Sequence, residues 1–159
     1  MEQLVIHGGA GSLEGKTTEA QIMHDSLCKV WEETFEVLQK RSAEDAVRHA
    51  VRMLEDDPVY NAGTGSKLQA DGQIRMSAAL MDGTNNRFSG VINVQNIRNP
   101  IEAAALLSGE KHSILSSAQA TEFCRTKGIP EYNPETEFRL HEYKSNCAGI
   151  HGTVGAVAL

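Results

Sequence analysis

The sequence has no cysteine pattern, no basic cluster and no long apolar run, and each absence removes a class of function. Its three cysteines, Cys28, Cys124 and Cys147, are odd in number and widely spaced, with no CxxC pair. Neither a disulfide framework nor a zinc site is suggested, and reduced thiols in a cytoplasmic compartment are the simplest account. The formal net charge is -6, and no cluster of Lys and Arg offsets it. Binding to phosphate backbones needs a basic surface, so nucleic acid is not an expected partner. The acidity reads as solubility. Near the N-terminus the apolar run is only Leu4-Val5-Ile6, too short for a signal-peptide core. Nothing approaches the ~20 apolar residues of a membrane span, so no membrane contact is expected. Internal repeats and low-complexity tracts are missing as well.

What is present is an ordinary globular balance, 159 residues long, which fits one domain with a core of useful size. Leu4-Val5-Ile6 reads as a buried strand entering the tight loop Gly8-Gly9-Ala10-Gly11. Thr18 and Gln21 form a candidate capping box, followed by Ile22, Leu27, Val30, Trp31, Phe35 and Leu38 at helical spacing. A second helix is expected from Ser42, with Asp45 in third position and Ala46, Val47, Ala50, Val51 and Leu54 along one stripe. Asp57-Pro58 should stop it. The turn signal Asp71-Gly72 predicts a hairpin with strands over residues 67–70 and 73–78. A second turn is expected at Asp82-Gly83 and Asn85-Asn86, then a strand over 88–97. Asn99-Pro100 opens a helix with proline in its first turn. A short strand at 113–115 and a helix over 116–126 follow. From 127 to 151 periodicity fades, and the stretch reads as a polar, mobile linker. The run from Thr153 to Leu159 is apolar and β-like. This order predicts mixed α and β structure with helices covering sheets.

Three segments carry chemistry. A threonine hydroxyl is a poor nucleophile until a base removes its proton, and a terminal threonine can use its own α-amine. A free α-amine has a pKa of about 7.7–8.0, suited to that task at neutral pH. An internal threonine reaches this state only through peptide cleavage. His151-Gly152-Thr153-Val154-Gly155 places a glycine before the threonine, after a linker and ahead of a rigid strand. Taken alone, Thr153 could equally begin an ordinary strand. His7-Gly8-Gly9-Ala10-Gly11 could be a sterically demanded turn, since it lacks the spacing of a nucleotide fingerprint. Asn61-Ala62-Gly63-Thr64-Gly65 is likewise unspecific by itself. The carboxylates Glu55, Asp56 and Asp57 could be no more than a solvated helix end.

Together the words HGGAG, DPVYNAGTGSKL, LMDG, RNP and GTVGAVAL, in that order, resemble the plant-type asparaginases, also called isoaspartyl peptidases. These are N-terminal nucleophile hydrolases, and the resemblance runs along essentially the whole chain. It implies an α+β fold, a four-layer αββα sandwich of which this is the N-terminal portion. Residues 1–126 would be the α-subunit core, 127–152 the linker ending at a self-cleavage site, and 153–159 the first strand of the β subunit. Thr153 would be the nucleophile and Gly152 would supply the scissile carbonyl. Gly8 and Gly9 would affect self-processing, and Asn61 would help hold the nucleophile. Backbone carbonyls of Leu54, Glu55, Asp57, Tyr60, Ala62 and Thr64 would bind a structural sodium ion, and no organic cofactor is implied. The substrate would be asparagine or a β-aspartyl dipeptide. The partners would be the β subunit and a second αβ unit.

Two departures stand out. Ser77 sits where relatives often carry an acidic residue. The family's substrate-gripping arginine and aspartate, and its oxyanion-stabilising Thr-Gly pair, lie downstream of the position matching Leu159, so this polypeptide alone is expected to lack a complete active site. A glycosylasparaginase is disfavoured because Gly152, not an acidic residue, precedes Thr153. A taspase-like protease or an inactive scaffold fragment remains the alternative.

Overall fold

The computed structural model describes residues 1–9, 17–145 and 153–159. Along these residues the order is β1 (Leu4–His7), α1 (Thr17–Leu38), α2 (Ala43–Asp56), β2 (Met76–Asp82), β3 (Arg87–Val94), α3 (Pro100–Leu107), β4 (Ile114–Ser116), α4 (Ser117–Thr126), α5 (Glu137–Lys144) and β5 (Gly155–Ala158). The class is α+β, as the sequence suggests.

Local chemistry accounts for most boundaries. Ser42 caps α2, its hydroxyl accepting the Asp45 N–H at 3.1 Å, which satisfies one of the donors a helix start leaves orphaned. Pro58 follows two residues after the helix ends. Pro100 occupies the first turn of α3, where its missing N–H costs nothing. Asp82 holds the turn between β2 and β3 by accepting the Thr84 and Asn85 N–H groups, while Asn86 adopts a φ of 50°.

β2 and β3 pair antiparallel, and β4 joins β3 in parallel. A bulge interrupts the first ladder, where Met76 faces Val94 but Ala78 faces Val91. Asn93, at φ 53°, is in the extra stretch, and its N–H bonds the Ser77 hydroxyl. Ser77 therefore serves the bulge. β1 and β5 form a separate antiparallel pair with Leu4 opposite Ala158 and His7 opposite Gly155.

Three expectations need correction. Thr18 lies inside α1, which already includes Thr17, so it does not cap that helix. Residues 67–70 form no strand. The turn is there, with Gln69 N–H bonding Gln73 O at 2.9 Å, but the Lys67 N–H goes to the Asn61 side chain instead of a partner strand. Within the stretch read as a linker, Glu137–Lys144 form α5, which is capped by Thr136 and anchored by Arg139, whose Nε donates to the Gly65 carbonyl at 2.6 Å. Arg139 is buried, and Lys67 and Glu142 form an ion pair from the loop to the same helix. Charges in this segment, read as solvated linker, are used for docking.

Three apolar clusters hold the elements together. Met76, Val91, Val94, Ile97, Leu107, Ala120 and Cys124 fill the space between β2–β3 and the helices α3 and α4. Val30, Ala50, Leu54 and Tyr60 lie beneath β1 and β5, packed by Ile6, Leu27, Val154 and Ala156. Leu80, Ile101 and Ala104, with Val47 and Val51, join α2 to α3 and β2. Each sheet thus has one face packed inward, while the other exposes apolar side chains. Val5 and Val157 are register partners and both exposed, as are Met81 and Phe88.

Ser42→Ala should destabilise the protein by about 1 kcal/mol through loss of the α2 cap. Urea denaturation followed by circular dichroism measures it, and a change near zero would mean that tertiary packing alone fixes the start of α2.

Candidate functional site

The site grows from the β1–β5 pairing. The ladder ends with His7 opposite Gly155, so Gly8 and Gly9 leave β1 at the same end of the ladder where Thr153 and Val154 enter β5. Thr153 is exposed, while Val154 packs into the cluster around Tyr60 and Leu54. The segment entering β5 is therefore held by its neighbour, and the threonine stands clear at its start. Gly152 and His151 fall outside the described residues, as do Ala10 and Gly11 of the HGGAG loop.

The two glycines of β1's exit have different reasons to be glycine. A Cβ on Gly8 would come within 2.9 Å of Tyr60 Cε1 and 3.1 Å of Leu27 Cδ2, so the strand can lie on Tyr60 only without a side chain there. Gly9 takes a φ of 121°, a region L-residues avoid. Tyr60 is buried beneath, its hydroxyl donating to the Met23 carbonyl at 3.3 Å. Burial, foremost, pushes that phenol above its ordinary pKa, so it stays neutral.

The loop from Leu54 to Gly65 folds back onto the end of α2. Thr64 N–H donates to the Glu55 carbonyl at 2.8 Å, and Tyr60 N–H to the Asp57 carbonyl at 3.3 Å. Asp57 accepts Val59 N–H on one oxygen and the Ser26 hydroxyl, at 2.6 Å, on the other. Gly63, at φ 48°, could not carry a side chain: a Cβ would lie 2.2 Å from the Glu55 carbonyl oxygen. From outside, the Thr64 hydroxyl meets the Tyr132 hydroxyl at 2.9 Å, and Gly65 N–H donates to Pro134 O. Asn61 accepts Lys67 N–H on Oδ1 at 2.8 Å and is half-buried beside Tyr60.

The six carbonyls singled out from the sequence divide into two groups. Those of Glu55 and Asp57 accept backbone N–H groups. The Leu54 carbonyl would look to the N–H of residue 58, which is proline and has none. Tyr60, Ala62 and Thr64 carbonyls accept no hydrogen bond among the described residues. Carbonyl oxygens without N–H donors suit a hard cation. Among the described residues no cluster of three or more His, Cys, Asp or Glu side chains could hold a metal.

Glu55 is not part of a solvated helix end. It is 3% exposed, and its Oε1 accepts the Ile101 N–H at 3.0 Å, capping α3 from another helix where Asn99 makes no cap of its own. Its second oxygen is buried with no partner. Burial raises the carboxyl pKa to about 8 against the opposing hydrogen bond from Ile101, so it is mainly protonated at neutral pH. Asp56 does behave as a surface group, paired with Arg98 at 2.7 Å. Sequence reasoning missed Glu55's capping role and the docking of α5. The Thr136 cap signal ahead of Arg139 was available for the second, but nothing local signals the first.

The profile of the asparaginase family matches residues 1–149. The chain belongs to the asparaginase family. It is 46% identical over 144 residues to the isoaspartyl peptidase/L-asparaginase of Synechocystis sp., an alignment covering 89% of this chain and 43% of that protein. With the enzyme of the same name from Nostoc sp. the identity is 43% over 180 residues, covering 99% of this chain and 56% of that protein. With the plant-type L-asparaginase of Pyrococcus horikoshii it is 36% over 148 residues, covering 91% and 47%. The chain spans about half the length of the curated relatives it matches. Within this asparaginase-family chain, the structure gathers Gly8, Tyr60, Ala62 and Val154 around one cluster. Among the described residues no helix is long and apolar enough to cross a membrane.

Glu55→Gln tests the buried carboxyl. A folded pKa of about 8 against an ordinary 4.5 means the folded state holds the proton more tightly. The stability tied to that proton is full below pH 4.5 and is lost as the pH rises towards 8. The glutamine variant, which keeps an acceptor for Ile101 N–H and cannot ionise, should show a flatter stability profile across that window in sodium-free buffer. Thermal unfolding from pH 4.5 to 8.5 measures it, and parallel profiles would place the titration elsewhere.

Proposed function

We propose that this chain forms the nucleophile-bearing part of a self-processing amidohydrolase that cleaves asparagine, β-aspartyl dipeptides or both through a threonine acyl-enzyme. The observation that supports the reading is the β1–β5 ladder, which in an asparaginase-family chain sets the strand that follows Thr153 against the strand that leads into Gly8-Gly9. The names of the relatives, isoaspartyl peptidase/L-asparaginase and plant-type L-asparaginase, supply the substrate class.

In this reading the Thr153 hydroxyl first attacks the Gly152 carbonyl. The peptide C–N bond breaks as an ester C–O bond forms, and water then hydrolyses the ester to leave Gly152 as a carboxylate. The freed α-amine of Thr153 becomes the base for the mature reaction. It takes the hydroxyl proton as the oxygen attacks the substrate's side-chain amide carbonyl. Ammonia or an amine leaves with that proton, and water releases aspartate from the ester. Glycines at positions 8 and 9 let backbone approach the reacting segment without a side chain in the way. Asn61, fixed by the Lys67 N–H, stands in the loop beneath and helps hold the nucleophile.

Carbonyls of Leu54, Glu55, Asp57, Tyr60, Ala62 and Thr64 would hold a sodium ion that stiffens this loop, a purely structural contribution. The exposed apolar faces at Val5 and Val157, and at Met81 and Phe88, support a sandwich completed by a downstream β subunit. Pairing of two αβ units would then give a heterotetramer. The unpatterned cysteines fit a cytoplasmic enzyme.

Full-length protein carrying Thr153→Ala should remain uncut and release no ammonia from asparagine, while Thr153→Ser should retain both reactions at a reduced rate. Denaturing electrophoresis and ammonia release report the two outcomes. Cleavage or turnover in the alanine variant at the wild-type rate would remove Thr153 from the mechanism and favour a scaffold role.

Replacing sodium by choline at constant ionic strength should lower the thermal midpoint of the full-length protein, because a bound ion stabilises the folded state alone. An unchanged midpoint together with unbroadened sodium NMR lines would count against the carbonyl site.

A further inference from the structure

A basic cleft of about 340 Å³ lies where α2 meets α3 and the end of α1, and the chemistry proposed above makes no use of it. Arg41, Arg48, His49 and Arg52 line it, with Asp45 and Glu102 as its two carboxylates. Of these two carboxylates only Glu102 is in an ion pair, and Asp45 keeps its charge beside a neutral hydroxyl. Asp45 accepts the Ser42 hydroxyl at 2.9 Å, and Glu102 pairs with Arg48 Nη2 at 2.7 Å. The guanidinium groups of Arg41 and Arg52 have no acidic partner among the described residues. The Nε–H of Arg48 is buried without a hydrogen-bond partner. A buried donor left unmet is costly, so this arrangement is incomplete as it stands. Burial, then the charge of Arg52, holds His49 below its ordinary pKa against the opposing charge of Glu33.

An arginine-bearing helix face can be no more than a solvated surface. Three features here go further. The arginines border a cleft instead of standing on a convex face. They concentrate positive charge in a chain whose net charge is -6. And at least one donor is hidden from the water that would otherwise satisfy it.

We propose that this cleft binds a small phosphate-bearing anion. One guanidinium fork satisfies one carboxylate, whereas a tetrahedral dianion offers acceptors to several forks at once. Three guanidinium groups around one cleft, two of them uncommitted, match the second geometry. The cleft would take inorganic phosphate and has room for a small phosphate ester.

Calorimetric titration of the full-length protein with sodium phosphate, against sodium chloride of equal ionic strength, tests this. Saturable phosphate binding is expected, weakened about tenfold or more by Arg41→Gln/Arg52→Gln, the loss of one or more charge-assisted contacts. Both side chains are exposed, so the variant's thermal midpoint in chloride should match that of the wild type. Should the double variant misfold, Arg41→Gln alone carries the test, with the same direction. No saturable heat, heat unaltered by the substitution, or equal heat with chloride would overturn the proposal. Succinate binding as tightly as phosphate would overturn its assignment to phosphate.

Discussion

The antiparallel pairing of β1 with β5 sets residues 4–7 against residues 155–158, and the candidate site depends on that contact. Closing so long a loop costs conformational entropy, which grows only slowly with length. Packing offsets it: Ile6, Val154 and Ala156 from the two strands join Val30, Leu54 and Tyr60 from the helices and loop. The ladder then extends by a reciprocal pair of hydrogen bonds between Gln3 and Leu159, at 3.1 and 2.9 Å. Thr153 gains a fixed place although its own side chain is exposed, because the residues after it are held on both the sheet and the core side.

The loop below the ladder is positioned by a second constraint, the end of α2. Proline at 58 removes a donor that Leu54 would otherwise use, and Gly63 returns the chain so closely to Glu55 that no Cβ fits. The side chain of the same glutamate reaches the other way, to the Ile101 N–H at the start of α3. One residue therefore ties the loop to the helix layer over β2 and β3. Tyr60 connects the loop to β1, where Gly8 lies against its ring. Displacing any of these would move Asn61 and Ala62 relative to Thr153.

Much of this was legible in the sequence where the determinants are local. Ser42 with Asp45, Pro58, Asp82 with Asn85, and Pro100 each act within a turn of chain, and each appears where its chemistry requires. The Asp71-Gly72 turn was legible but its flanking strands were not. The backbone of Lys67 is claimed by Asn61, and the turn is covered by Tyr143, whose hydroxyl donates to the Ala70 carbonyl. The polar segment after residue 127 hid α5, because its anchor is a buried arginine and an ion pair, not an apolar stripe. Glu55 could not be read at all: its environment comes from α3, more than forty residues on. For the site itself, Thr153 and the glycines were visible as words whose order resembles one family, whereas the pairing of the strands they adjoin is long-range and has no local signal.

The measurement that reaches the central claim most directly is the N-terminal sequence and intact mass of the mature full-length protein. Two chains are predicted, one ending at Gly152 and the other beginning Thr153-Val154-Gly155-Ala156. A single uncut chain with asparaginase turnover, or a cut at any other bond, would contradict the assignment of Thr153 as the latent nucleophile.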